Sequence, residues 1–204
     1  MKPYNIYLFR LAAVVAVSLM FVGCTHTLKS KDVSILETGS PLKSIPPKTF
    51  AFKEFRDARG TTITGALGNV LDISKDPYLF DQQGIVKSKL DEPPASLVAM
   101  VIRKELERNG HKCIVYSAQS NPDFIIEGSV YRFQIEMGRP SVTVVAVKLT
   151  VSPVSPGKEV LIKTSEGKAR YSSYYTYKTS VNLALLAMVK EFSTDPDLIA
   201  FLEK

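Results

Sequence analysis

The sequence predicts an α/β (α+β) fold: a mixed, mostly antiparallel sheet of about five strands, with amphipathic helices on one face. Three observations carry that expectation. Between residues 48 and 118 a strand-like segment, an amphipathic helix and a second apolar strand follow one another, the order that closes a parallel β-α-β unit. Residues 122–177 then alternate apolar and polar side chains in long runs, as antiparallel strands with one covered face do. From Lys178 onward apolar residues recur at helical spacing, which supplies further helices to cover that face.

The elements come in order along the chain. In "KTFAFKEF", residues 48–55, Phe50, Phe52 and Phe55 come near to alternation and predict the first strand. Residues 56–93 carry Gly60, Gly65, Gly68 and Gly84 and no sustained pattern. They read as an extended surface loop with a short strand around Ile85–Lys87, a binding loop or disordered segment being the alternative. "GTTITGALGN" holds G-x4-G without a following Lys-Ser/Thr, so it is no phosphate-binding loop. "PPASLVAMVIRKELERNGHK" is the clearest helix. Leu97, Val98, Val101, Ile102 and Leu106 make one stripe, and Arg103, Lys104, Glu107 and Arg108 take the other side. Pro94 suits its first turn, and Asn109-Gly110 is a stop of the left-handed kind.

"KCIVYSA" predicts a short strand and "NPDFIIEGSVYRFQIEM" a long one. The apolar phase of the long strand shifts between Val130 and Phe133, which predicts a bulge near Tyr131. "SVTVVAVKLTV" alternates through Val145, Val147, Leu149 and Val151, "SPVSPGKEV" turns, and "EVLIKTSEGKARYSSYYTY" gives one strand or a broken pair. Val181, Leu185, Met188, Val189 and Phe192 then fall at helical spacing. A last helix restarts at Asp195-Pro196, as cap and first-turn proline.

Composition narrows function by exclusion. Lys and Arg number 26 against 20 acidic residues, a formal charge of +6 that is spread along the chain without a run of five like charges. There is no basic stripe with interleaved aromatics, so nucleic acid is not an expected partner. The two histidines, His26 and His111, lack companions at ligand spacing, so no metal and no cofactor is expected. No G-x-S-x-G elbow occurs and no base is evident for a Ser or Cys nucleophile, so the chain is not expected to be an enzyme. Asp57 and Glu127 could be imagined as an acid and base pair, but nothing in the sequence brings them together. Cys113, in "HKCIVYSA", reads as a small core hydrophobe, with a reactive thiol as the alternative.

The N-terminus reads as a targeting segment. "MKPYNIYLFR" carries Lys2 and Arg10 and no acid, and Leu11–Gly23 follows without a charge. That run is short against the roughly 20 apolar residues that cross a bilayer. Extending it back to Tyr4 would bury Arg10, which is costly at depth. Small Gly23, then Cys24, then polar Thr25, His26 and Thr27 favour cleavage over an uncleaved anchor helix. "FVGC" resembles the lipobox of bacterial lipoproteins, with Phe21 where Leu is usual. The resemblance implies loss of residues 1–23 and lipidation of Cys24. With about 0.8 kcal/mol per buried methylene, several acyl chains would hold the protein on a membrane. Thr25 in place of Asp implies, by analogy with Gram-negative sorting, the outer membrane with the protein facing the periplasm. Residues 24–47, ending in Pro46-Pro47, then read as a lipidated N-terminus and flexible tether, and 48–204 as one globular domain.

Within that domain three motifs recur in a known group. The first strand ends in Asp57-Ala58-Arg59, the helix closes on "ELERNG", residues 105–110, and residues 122–128 read Pro-Asp-Phe-Ile-Ile-Glu-Gly. The chain thereby resembles YajG-like envelope lipoproteins with a TolB-N-terminal-like α/β domain, over roughly residues 48–192. The resemblance implies a non-enzymatic accessory or assembly protein that works through contacts with an envelope protein partner. A lipid- or glycan-binding carrier or sensor is the alternative. Candidate contact residues are Asp57 and Arg59, which could equally brace a strand corner, and the tyrosines of "ARYSSYYTY". In one strand Tyr171, Tyr175 and Tyr177 would share a face and Tyr174 would take the other, exposed one. These rings could be a docking patch or merely cover the edge of the core. Oligomeric state has no sequence signal.

Overall fold

The computed structural model describes residues 26–29, 31, 33, 39–59, 62–64, 70–72, 78–80, 86–136, 141–155, 157–171 and 177–204. Its elements run β1 (His26–Leu28), a 3-10 turn (Pro41–Ser44), β2 (Thr49–Phe52), β3 (Arg56–Asp57), β4 (Thr62–Thr64), β5 (Val70–Asp72), β6 (Tyr78–Phe80) and β7 (Val86–Leu90). They continue with α1 (Pro94–Arg108), β8 (Lys112–Val115), β9 (Phe124–Glu136), β10 (Ser141–Pro153), β11 (Leu161–Tyr171), α2 (Tyr177–Ser193) and α3 (Pro196–Leu202). The main sheet has the order β11-β10-β9-β2-β8, with β3 also on β9. The expected mixed α/β fold is observed, with six strands in place of about five. β2 runs parallel to β8 and β9, while β10 is antiparallel to β9 and β11. Residues 56–93 are more structured than a loop with one short strand. They hold β3, the β4–β5 pair, and β6 and β7, which form a small sheet with β1.

The parallel centre is aligned by one side chain. Asp123, just before β9, accepts the Thr49 amide on Oδ2 at 2.6 Å, and its own amide donates to the Thr49 carbonyl at 2.8 Å. The start of β2 is thereby locked to the start of β9. The β2 ladder ends with the Lys53 amide on the Ile126 carbonyl at 3.0 Å, lapses at Glu54–Phe55 and resumes in β3, where the Ala58 amide donates to the Val130 carbonyl. Phe55 fills the break by lying on Gly128. A Cβ there would come within 2.3 Å of the Phe55 ring, so the position admits only glycine without rearrangement. On β9 the expected bulge is present: Ala146 pairs with Arg132 and Val147 with Val130, which leaves Tyr131 as the extra residue.

One face of the sheet carries the core. Phe50, Phe52, Ile126, Val130, Phe133, Val145, Val147, Leu149 and Val151 meet the α1 stripe Leu97, Val98, Val101, Ile102 and Leu106. Pro94 occupies the first turn of α1 and Gly110, at φ 90°, ends it in the left-handed region, both as the sequence predicts. The α2 residues Val181, Ala184, Leu185, Met188 and Val189 cover β10 and β11, and Leu198 and Leu202 of α3 close one end. Asp195 caps α3, its Oδ1 accepting the Asp197 and Leu198 amides at 2.8 and 2.9 Å, and the Lys163 ammonium lies on its Oδ2 at 3.2 Å.

The flexible tether expected for 24–47 is not what the described residues show: His26–Leu28 pairs with β7, Val33 is buried in the core, and residues 39–47 are docked. Leu42 is fully buried and Ile45 nearly so, and the Ser40 hydroxyl donates to the Ser193 carbonyl at 3.3 Å. A Pro-initiated 3-10 turn puts both apolar side chains on the inward side, where they seal the core below α2. Cys24 lies outside the described residues.

Helix α2 approaches β11 closely enough to exclude a side chain. A Cβ on Gly167 would come within 1.9 Å of the Ala184 carbonyl oxygen and 2.4 Å of the Met188 amide nitrogen. Gly167→Ala should therefore force the helix outward and lower unfolding free energy by about 2–3 kcal/mol, the size of an overpacked core. Gly39→Ala, with nothing within 4 Å of the added methyl, should be neutral or slightly stabilising. Urea melts of the two variants measure the contrast.

Candidate functional site

The residues expected to carry function are not gathered into one cleft among the described residues. Asp57 and Arg59 do meet, and they meet each other. Arg59 Nε donates to Asp57 Oδ1 at 2.9 Å and to Oδ2 at 3.1 Å, Nη2 donates to Oδ2 at 2.8 Å, and the Arg59 amide donates to Oδ1 at 3.2 Å. Their side chains are 9% and 5% exposed. A carboxylate two residues ahead of a guanidinium, at the end of β3, folds the chain into a corner through one bidentate pair. This is the bracing role, and burial withdraws both groups from a contact surface. Glu127 lies against the Lys53 ammonium, so the imagined acid and base each hold a cation of their own.

The tyrosine strand does not extend to Tyr177. β11 ends at Tyr171, and Tyr177 is the first residue of α2. Tyr177 therefore does not share a strand parity with Tyr171, because helix replaces extended chain there. Tyr174 and Tyr175 lie outside the described residues, as does Cys24. The helical apolar spacing that begins at Val181 extends further back than the β-favouring run of tyrosines suggests.

Cys113 is half-buried on β8, its Sγ directed at the Arg103 carbonyl at 3.7 Å. Burial pushes its thiol up to about 12, Glu107 adds to the rise and Arg103 opposes it. Such a thiol holds its proton at neutral pH and is a poor nucleophile. His111 is buried edge-on to the Phe50 ring, 5.4 Å between centroids, and its Nδ1 accepts the Lys48 amide at 3.2 Å. Burial depresses its pKa, nearby Lys48 adds to that, and the Leu42 carbonyl partly offsets it. Among the described residues no group of three His, Cys, Asp or Glu side chains could hold a metal, and no helix is long and apolar enough to cross a membrane.

One buried acid enters the sequence reading only as the first residue of the 105–110 motif, with no role of its own. Glu105 is fully buried in α1, with Oε1 accepting from Asn109 Nδ2 at 3.0 Å and Oε2 without a hydrogen bond. Its spacing carries the signal: Glu105 stands four residues after Val101 and three after Ile102, on the apolar stripe. A shallow cleft of about 440 Å³ lies at the start of β2 and β9. Its walls include Lys48, Asn121, Asp123, Ser155, Lys158 and Lys204. They are mostly polar, and its acid, Asp123, is already engaged with Thr49.

No family model matches the chain, and no curated protein matches it in sequence. Solved structures do resemble it. Protein XCC0632 from Xanthomonas campestris, of the DUF330 family, superposes with a TM-score of 0.54 at 12% identity, covering 86% of this chain and 93% of its own. PelC from Paraburkholderia phytofirmans gives 0.44 at 12% identity, over 74% and 91% of the two chains. Lipoprotein GNA1162 from Neisseria meningitidis gives 0.33 at 12%, over 72% and 98%. The first of these shows a shared fold.

Two measurements check the roles assigned here. Asp57→Ala strips a buried guanidinium of its bidentate partner and should cost about 3–5 kcal/mol in a denaturant melt. For His111 the native state resists protonation while the unfolded chain titrates near its ordinary 6.5. The unfolded state thus binds more protons below that pH, so this contribution to stability is intact above 6.5 and declines as pH falls below it toward the depressed native value. Wild type should lose more melting temperature between pH 7.5 and 5.5 than His111→Gln does.

Proposed function

We propose that the chain is a lipid-anchored lipoprotein of the bacterial envelope, related to the YajG-like group, that faces the periplasm from the outer membrane. There it serves as a non-enzymatic accessory or assembly protein through protein contacts. The observation that carries this reading is the order of the first residues: Lys2 and Arg10, the uncharged run Leu11–Gly23, then Cys24. Two features of the domain support it. The titratable groups that suggested chemistry have structural engagements: Asp57 with Arg59, Glu127 with Lys53, His111 with the Lys48 amide. The Cys113 thiol is held protonated. The core between sheet and helices is filled with large side chains, and the cleft near Lys48 has mostly polar walls, so neither favours carriage of a lipid.

Cys24→Ser in the full chain tests the anchor. Wild type should fractionate with membranes and incorporate labelled palmitate. The variant should lose both and keep its melting temperature, because it exchanges a thiol for a hydroxyl and leaves β1 and the core unchanged. Equal labelling of the two proteins would overturn the reading.

A further inference from the structure

The two edges of the main sheet are finished differently. At the β11 edge the Glu166 amide, which would otherwise point outward, donates to the Glu191 carboxylate of α2. That strand also carries Lys163, Glu166, Lys168 and Arg170, the charge that keeps sheet edges from pairing. The β8 edge has no such cover among the described residues. The Lys112 amide donates to the Lys48 carbonyl and the Tyr116 amide to the Phe52 carbonyl, each at 2.9 Å. Main-chain groups alternate in direction along a strand, so Ile114 also faces β2, and Cys113 and Val115 turn their amides and carbonyls outward. Val115 is 71% exposed and Tyr116 42%, the first of these the highest exposure among the large apolar residues described. No proline and no acidic residue interrupts the edge from Lys112 to Tyr116.

We propose that β8 is a self-pairing edge, and that two copies of this chain join antiparallel through it into one continuous sheet across a two-fold axis. The register is set by the outward groups. Cys113 must stand opposite Val115 of the second copy, and Val115 opposite its Cys113, to exchange four main-chain hydrogen bonds. Ile114 then falls on the two-fold axis, facing its own counterpart at the close, non-hydrogen-bonded spacing. On that same side of the sheet Lys112 comes opposite the Tyr116 ring of the other copy. Tyr116 already accepts a cation, Lys53 Nζ standing 5.2 Å from its ring centroid. Aliphatic meets aliphatic and ammonium meets ring, so the edge is complementary to itself, as an isologous interface requires. Its footprint is a single short strand per copy, which makes a weak dimer that forms across the micromolar range rather than an obligate one.

The test uses the full chain in mild detergent. Wild type should sediment as a monomer–dimer equilibrium that shifts with concentration. Ile114→Cys combined with Cys113→Ala should give a disulfide-linked dimer on mild oxidation, since the two introduced thiols face each other across the axis. Both crosslinking proteins also carry Cys24→Ser, so Cys113→Ala without Ile114→Cys, which then has no thiol, should not. Val115→Pro removes an outward amide that β2 does not use and should leave the protein monomeric with an unchanged circular dichroism spectrum. Should that variant fail to fold, Ile114→Lys, which sets two ammoniums face to face, should abolish the dimer equally. A wild type that stays monomeric throughout the range overturns the proposal and leaves the edge to a strand from a different protein. A dimer that persists in Ile114→Lys, or that fails to crosslink through residue 114, overturns it in favour of another interface. None of these outcomes depends on whether Cys24 carries a lipid.

Discussion

The contact on which the fold turns is backbone against backbone, where α2 rests on Gly167. Ser165, Gly167 and Ala169 form a row of small buried residues on the inner face of β11, and α2 lies in that row at the level of Ala184 and Met188. Because the helix sits so low, Val181, Leu185 and Met188 reach the Val145 and Val147 side of the sheet, and the Thr143 and Ser180 hydroxyls meet at 2.7 Å. The position of α2 in turn fixes the chain beyond its C-terminus. Its last carbonyl, at Ser193, receives the Ser40 hydroxyl, and Asp195 just beyond it meets Lys163. A larger residue at 167 would lift the helix and loosen each of these, since packed interiors do not deform gradually.

A second constraint works at the other end of the sheet. Parallel strands leave β2 without a hairpin to set its register, and Asp123 supplies that register through Thr49. Gly128 then makes room for Phe55, and the Asp57–Arg59 pair turns the chain away at the β3 corner. Asp57, Arg59, Asp123 and Gly128 belong to the short motifs that stand out in the sequence, and in this structure each of them sets strand geometry.

The polar side chains that stood out in the sequence are thus mostly bracing groups, and the surfaces left open are main-chain edges and exposed apolar side chains. The β8 edge, with Val115 and Tyr116, is such a surface, and the β11 edge is closed by Glu191.

Much of the architecture was legible from periodicity alone. The α1 stripe, the Gly110 stop, the Asp195-Pro196 start of α3, the alternation of β10 and the bulge at Tyr131 each depend on neighbours within a few residues, where spacing and side-chain type decide the outcome. The role of Leu42 and Ile45 was not legible, because one turn with two apolar residues has no period, and only the open base of the core gives it a place to dock. The tyrosine segment misled for a related reason. Its residues favour strand, but the packing of Val181 and Ser180 on β10 holds the chain from Tyr177 in a helix. Asp57 and Arg59 could be named from sequence as a candidate pair, yet their burial against each other depends on where β3 meets β9. By itself the sequence determined α1, α3 and the long strands β9 and β10, and the order in which they follow one another. Tertiary structure alone decided which edge of the sheet stays open and which polar groups are enclosed, because both depend on contacts between residues far apart in the chain.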